Sequence, residues 1–287
     1  MEPYVSVRSL ASVSLVKSTK NSTFPLFNYF TVDLNEEFSA FSSMYLERQT
    51  KFVAVCIKKI LAIYKRNTLF SKIAIIGHSQ GGIIARYLLA SKLIDPDSVN
   101  VIYELAAPIL KPATTIDRTM VKMYDVINDF ENENKIIQVS IGGGFNDLQV
   151  NEHLNNFPLN LSLQISTIAS SLPQVWASTD HLCIVWCNQL VRLIVRSIFN
   201  IYLDTKTVAS KSDISRILSY HFVNNDGLSD FLLAKSTERQ SRTIKSSNAL
   251  ELSGRRNDQM ENQQDELSHQ LYSHHQALIN KICTARS

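Results

Sequence analysis

SKIAIIGHSQGGIIARYLLA, Ser71 to Ala90, governs how the rest of the chain reads. An apolar, β-branched run ends in Gly77-His78-Ser79-Gln80-Gly81, and the residues after it place apolar side chains at helical spacing. Such a run suits a central parallel strand covered on both faces. G-x-S-x-G between a buried strand and a helix is the nucleophile elbow: the serine sits on a strained turn, its hydroxyl lifted above the strand ends. Gly77 and Gly81 are expected to flank it because side chains there would collide with the neighbouring strand and helix. The amide of Gln80 then faces the site of a developing oxyanion, helped by the positive end of the helix. Without that context the same letters describe a glycine-rich turn with an inert serine.

Working outward, strand-like and helix-like segments alternate. Tyr29 to Asn35, YFTVDLN, alternates as a strand does. YLERQTKFVAVCIKKILAIYKR follows with helical spacing. Beyond the elbow helix come the strands VNVIYELAAP, stopped by Pro108, and KIIQVSIGGG, Lys135 to Gly144. LQISTIASSL is a weaker strand, and a helix runs through Trp186 and Arg196. The alternation predicts an α/β fold, an α/β-hydrolase-like, doubly wound and mostly parallel sheet. Residues 1–236 form this domain. From 237 to 287 the chain is rich in Ser, Gln, Asn, Glu and Arg, which predicts a disordered or weakly helical tail.

The 287 residues suffice for one sizeable domain and a tail. A net charge of +3 with scattered basic residues argues against a nucleic-acid partner. Cys183 and Cys187, four apart, suit one helix face better than a zinc site, and no CxxC pair accompanies them or Cys56 and Cys283. The N-terminus, MEPYVSVRSLASVSLVKS, lacks the apolar core of a signal peptide and reads as an amphipathic helix. The stretch Cys183 to Leu203 contains Arg192 and Arg196. Each would cost about 2.5 to 3.5 kcal/mol at a bilayer centre. It reads as a helix with a broad apolar face, not as a membrane span.

If Ser79 is the nucleophile, its acid and histidine follow it in that order. The later histidines are His153, His181, His221, His269, His274 and His275. The last three lie in the polar segment, His221 has no clear strand before it, and His153 comes only six residues after the best acid. His181, in WASTDHLCIVW, stands at a loop before a helix. For the acid, Asp147 follows a strand ending in glycines, which let the backbone bend. Asp180 is the rival, but it suits an N-cap for the following helix. Glu104 lies within a strand, and Asp125, Asp129 and Glu131 read as a solvated helix face. The chemistry implied is acyl transfer by Ser79, His181 and Asp147, with no metal or organic cofactor.

KIAIIGHSQGGIIARYLL, VSIGGGFNDLQV, VWASTDHLCIVWCNQLV and FTVDLNEEFSAF together resemble the GPI inositol-deacylases of the endoplasmic reticulum. The likeness runs from about Tyr4 to Asp204. It implies a lipase-like hydrolase facing the lumen of the endoplasmic reticulum, which removes the acyl chain from the inositol of GPI anchors and so supports transport of GPI-anchored proteins. It carries over Ser79, Asp147 and His181 as the catalytic residues. The family's partners are GPI-anchored proteins with their acylated inositol lipid, at a membrane. Two sequons, Asn21-Ser22-Thr23 and Asn160-Leu161-Ser162, are compatible with a lumenal location.

The family pattern also includes an N-terminal membrane anchor, a strand ending in a PGNAGS-like loop that supplies the second oxyanion amide, and a multi-span region after the hydrolase domain. The sequence as printed contains none of them. The expectation is therefore a truncated form lacking N-terminal strands, poorly stable and weakly active alone, with an exposed sheet edge. The alternatives are a generic lipase or carboxylesterase, and a catalytically impaired fragment that only binds.

Overall fold

The structure, a computed structural model, describes residues 4–20, 24–34, 39–64, 72–112, 116–133, 136–158, 163–202 and 210–223. Both sequons, Cys283, the last three histidines and the segment 237–287 lie outside the described residues.

Four strands form one sheet in the order β1 (Ile73–His78), β2 (Val99–Leu105), β3 (Gln138–Gly142), β4 (Gln164–Ile168), every pair parallel. Successive parallel strands that step the same way across a sheet place their crossover helices on one face. Accordingly α3 (Gln80–Ala90) and α4 (Arg118–Glu133) pack side by side, joined by α2 (Ser43–Tyr64). The other layer holds α1 (Tyr4–Lys20), α5 (Asn188–Ile201) and α6 (Lys211–Phe222), with α5 against both others. This is a parallel sheet with helices on both faces, as an α/β-hydrolase-like fold requires.

The fully covered strands are β2 and β3, each buried at every residue. β1, expected to be central, is half-buried and has one strand neighbour among the described residues. An unbroken β-branched run signals apolar surroundings but cannot report how many strands flank it. Helices α2, α3 and α4 enclose a core with Leu46, Ile83, Leu88, Ile102, Met120 and Ile127, each at most 1% exposed. Full burial of each such side chain contributes roughly 1.5–3 kcal/mol.

Several sequence expectations change in detail. Tyr29 to Leu34 is not a strand. Its neighbourhood is held by aromatic side chains instead: Phe24 and Phe27 lie edge-on to Phe199, and Phe30 to Tyr64. Alternating aromatics serve an extended strap over helices as well as they serve a sheet. Helix α1 buries Leu10, Ser14 and Ser18, one per turn, while Leu15 and Val16 are exposed. Its inner stripe is small rather than apolar, and close approach to α5 replaces amphipathic burial. Helix α5 starts at Asn188, so Cys183 sits in a 3-10 turn and Cys187 at the N-cap, not on one helix face. Its polar stripe is Asn188, Arg192 and Arg196; Arg192 Nε donates to Asn188 Oδ1 at 3.1 Å. No described helix is long and apolar enough to cross a membrane.

Candidate active site

Ser79 joins the end of β1 to α3 with φ 53° and ψ −124°. Backbone in this region costs a non-glycine residue about 1–3 kcal/mol and persists only where surroundings enforce it. Here Ser79 N–H donates to Leu105 O at 2.8 Å, and Gly82 N–H to Ser79 O at 3.0 Å. A Cβ on Gly77 would stand 2.5 Å from Gly81 and Gly82 backbone atoms, so Gly77 is needed for the turn. Gly81 is not: a Cβ there meets nothing among the described residues. The close approach belongs to Gly82, whose Cβ would lie 2.8 Å from Ala107 Cβ. Spacing within a motif points at a glycine, whereas the neighbour across the sheet selects which one. Gln80 opens α3, where amides have no acceptor within the helix.

The loops after β3 and β4 are tied together. Thr179 N–H donates to Gly143 O at 2.8 Å, and Asn146 N–H to Ser178 Oγ at 3.1 Å. A Cβ on Gly143 would lie 2.6 Å from Thr179 O, and Gly144 has φ 89°, so this crossing needs both glycines. The tie places Asp147, 4% exposed, under His181, 6% exposed. Asp147 Oδ1 accepts Gln149 N–H at 3.0 Å and Val150 N–H at 2.9 Å. Its Oδ2 is left for His181 Nδ1, 3.1 Å away. His181 Nε2 lies 3.0 Å from Ser79 Oγ. With Nδ1–H donating to the carboxylate, Nε2 is the acceptor for the serine hydroxyl proton. The three residues, 102 and 34 positions apart along the chain, thus form one hydrogen-bonded line.

Asp180 turns away from that line. Exposed, its Oδ1 accepts Leu182 N–H at 2.8 Å and Cys183 N–H at 2.7 Å, so it caps the 3-10 turn Cys183–Val185. His153 is exposed. His221, on α6, is buried and accepts from Asn200 Nδ2 at 2.9 Å; desolvation lowers its pKa to about 4.

Two groups escaped sequence reasoning, one beside the line and one behind the elbow helix. His78 Nε2–H donates to the His181 carbonyl oxygen at 2.7 Å, and the two rings lie 4.8 Å apart, tilted by 44°. Its adjacency to Ser79 was the available signal. Behind α3, Arg86 is fully buried: Nε and Nη2 grip Glu131 at 2.9 and 2.7 Å, and Nη1 donates to Ile109 O at 3.0 Å. Glu131 also accepts from Gln138 and Gln164. Glu131 is therefore not part of a solvated face, although Asp125 and Asp129 are exposed. One helix displays both environments because residues two apart, such as 129 and 131, point in different directions. Glu104, 3.8 Å from Arg86, has no hydrogen bond to either carboxyl oxygen among the described residues, and burial pushes its pKa up to about 8.

Comparison with known proteins follows the same outline. The model of the PGAP1-like alpha/beta domain matches residues 3–201. GPI inositol-deacylase of Xenopus laevis is 38% identical over 234 residues, covering 77% of this chain and 25% of that protein. That of Rattus norvegicus is 36% identical over 231 residues, with the same coverages. GPI inositol-deacylase B of Yarrowia lipolytica is 30% identical over 263 residues, covering 83% of this chain and 28% of its own length. The chain spans about a quarter of the length of the curated relatives it matches.

Proposed function

The chain belongs to the family of the PGAP1-like alpha/beta domain, and from that premise we propose that it is a serine hydrolase that removes the inositol-linked acyl chain from GPI anchors. The observation that carries this reading is the hydrogen-bonded line from Asp147 through His181 to Ser79. The names of its relatives supply the substrate class.

Ser79 Oγ attacks the ester carbonyl carbon while His181 Nε2 takes the hydroxyl proton. Asp147 holds the imidazole in the required tautomer and stabilises its cation. The Gln80 amide donates to the tetrahedral oxyanion. Collapse breaks the carbon–oxygen bond to inositol, whose oxygen receives the proton from His181. Water then attacks acyl-Ser79, giving its proton to His181, and the fatty acid leaves as Ser79 is restored. No step calls on a metal or an organic cofactor.

A lipid-linked substrate is supported by exposed apolar residues on the segments that carry Asp147 and His181. Phe145 and Leu148, flanking Asp147, are 89% and 93% exposed, and Trp176 is 71% exposed at φ 43°. The substrates on this reading are GPI-anchored proteins, met at the lumenal face of the endoplasmic reticulum membrane.

The test is deacylation of inositol-acylated GPI by the full chain and its Ser79→Ala variant, with labelling by a fluorophosphonate. Loss of both labelling and deacylation in the variant supports the reading. Labelling that survives Ser79→Ala overturns the nucleophile. Turnover of short-chain esters with none of acylated GPI would identify a generic carboxylesterase.

A further inference from the structure

His78 precedes the elbow serine, yet its side chain reaches a residue 103 positions away. A carbonyl oxygen can only accept, so the 2.7 Å contact to His181 O requires a proton on His78 Nε2. The ring is largely buried against the His181 ring, and desolvation lowers its pKa to about 4. The ring that donates is therefore the neutral one, with its proton on Nε2.

The geometry has a consequence for the line. Asp147 fixes His181 through its ring, at Nδ1. His78 fixes the same residue through its backbone, at the carbonyl. Two attachments, one on ring and one on main chain, leave the imidazole little room to tilt from Ser79 Oγ. Because His78 is the last residue of β1 and Ser79 the next, the clamp is built into the strand that carries the nucleophile. Serine and histidine are thus referenced to one rigid element, though they come from distant parts of the sequence.

We propose that His78 is a positioning residue, whose neutral imidazole donates Nε2–H to the His181 carbonyl and holds the base in register with Ser79. It touches neither substrate nor reacting atoms. This rests on the serine-hydrolase reading, and a second measurement is independent of activity. Misplacement of a reacting group by about 1 Å costs on the order of a hundredfold. Losing one of two attachments should slow the reaction by at least about tenfold by the same reasoning.

The experiment compares the full chain with His78→Phe and His78→Gln. Phe keeps a ring against His181 but has no donor, while Gln places an N–H near the former Nε2. The rate of fluorophosphonate labelling at Ser79 is followed against pH, with melting temperature recorded. The proposal expects slow labelling in His78→Phe across the whole pH range and substantial recovery in His78→Gln. Wild-type labelling in His78→Phe, or equal slowing in both variants at unchanged melting temperature, overturns it. Side-chain nitrogen NMR of the wild-type chain gives the separate readout. His78 should appear as the neutral Nε2–H tautomer, without titration between about pH 5.5 and 8. An Nδ1–H tautomer overturns the proposal even if Ser79 reacts normally. Failure of wild-type Ser79 to label, with the expected tautomer present, refutes the hydrolase reading and leaves the clamp standing.

Discussion

Asp147 and Glu104 are both buried carboxyl groups within the same sheet system, and they are treated in opposite ways. Asp147 lies past the end of β3, where two amides bind one oxygen and His181 binds the other. Glu104 lies within β2, 0% exposed, with no hydrogen bond to either oxygen among the described residues and Arg86 Nε at 3.8 Å. Arg86 has spent its fork on Glu131. Burial disfavours a charge unless donors compensate for lost water. A turn with free amides can supply them, but a strand interior has committed its amides to the ladder. The loop past the strand can therefore surround an acid with donors, whereas the strand interior leaves one without them among the described residues.

The largest expected effect breaks the Asp147 side. Asp147→Asn should lower Ser79 labelling and deacylation by about 10³- to 10⁴-fold, because the amide favours the wrong histidine tautomer. The melting temperature should move little, since Asn keeps the Oδ1 contacts; fluorophosphonate kinetics beside a thermal scan check both. Next comes the core cluster. Arg86→Met removes the partner of buried Glu131 and should cost about 3–5 kcal/mol in urea unfolding. Unchanged stability would mean that Gln138 and Gln164 suffice to hold that charge.

Glu104→Gln sharpens the comparison through pH. Burial raises the folded pKa of Glu104 to about 8, from an ordinary carboxyl value of 4.5. Its contribution to stability is thus full below about pH 4.5 and declines as pH rises toward about 8. The variant has no such proton to lose, so its melting temperature relative to wild type should climb across that window. A constant offset from pH 5 to 8 would show that Glu104 does not titrate there. The smallest effect concerns Asp180, the exposed capping acid. Asp180→Asn should leave labelling within about threefold and stability nearly unchanged, since Asn and Asp cap about equally well. A dead Asp180→Asn beside an active Asp147→Asn would exchange the two acids' roles.

Much of this molecule was legible in its residues because the signals are local. The elbow needs a strand, a tight turn and a helix in immediate succession, and Ser71 to Ala90 provides all three. Segments around all four strands could be read, because parallel strands are short apolar runs bounded by turn residues. Asp147 and His181 stood out by their loops and by the order of triad residues. What misled was context beyond the segment. Among the described residues, Tyr29 to Leu34 alternates but has no strand partner, and β1 reads as central but has one strand neighbour. Glu131 shares a helix with solvated acids, yet it meets Arg86 from α3.

By itself the sequence determined the four strands of the sheet with the elbow helix after the first, the strained turn at Ser79 and the residue types able to perform acyl transfer. These depend on periodicity, turn chemistry and spacing, which act over a few residues. Tertiary structure alone decided that Gly82, not Gly81, faces the sheet, that His78 grips His181, and that Glu104 goes without donors while Asp147 has three. Each of those outcomes depends on what a distant segment places within a few ångströms, where hydrogen bonding and desolvation set the state of a group.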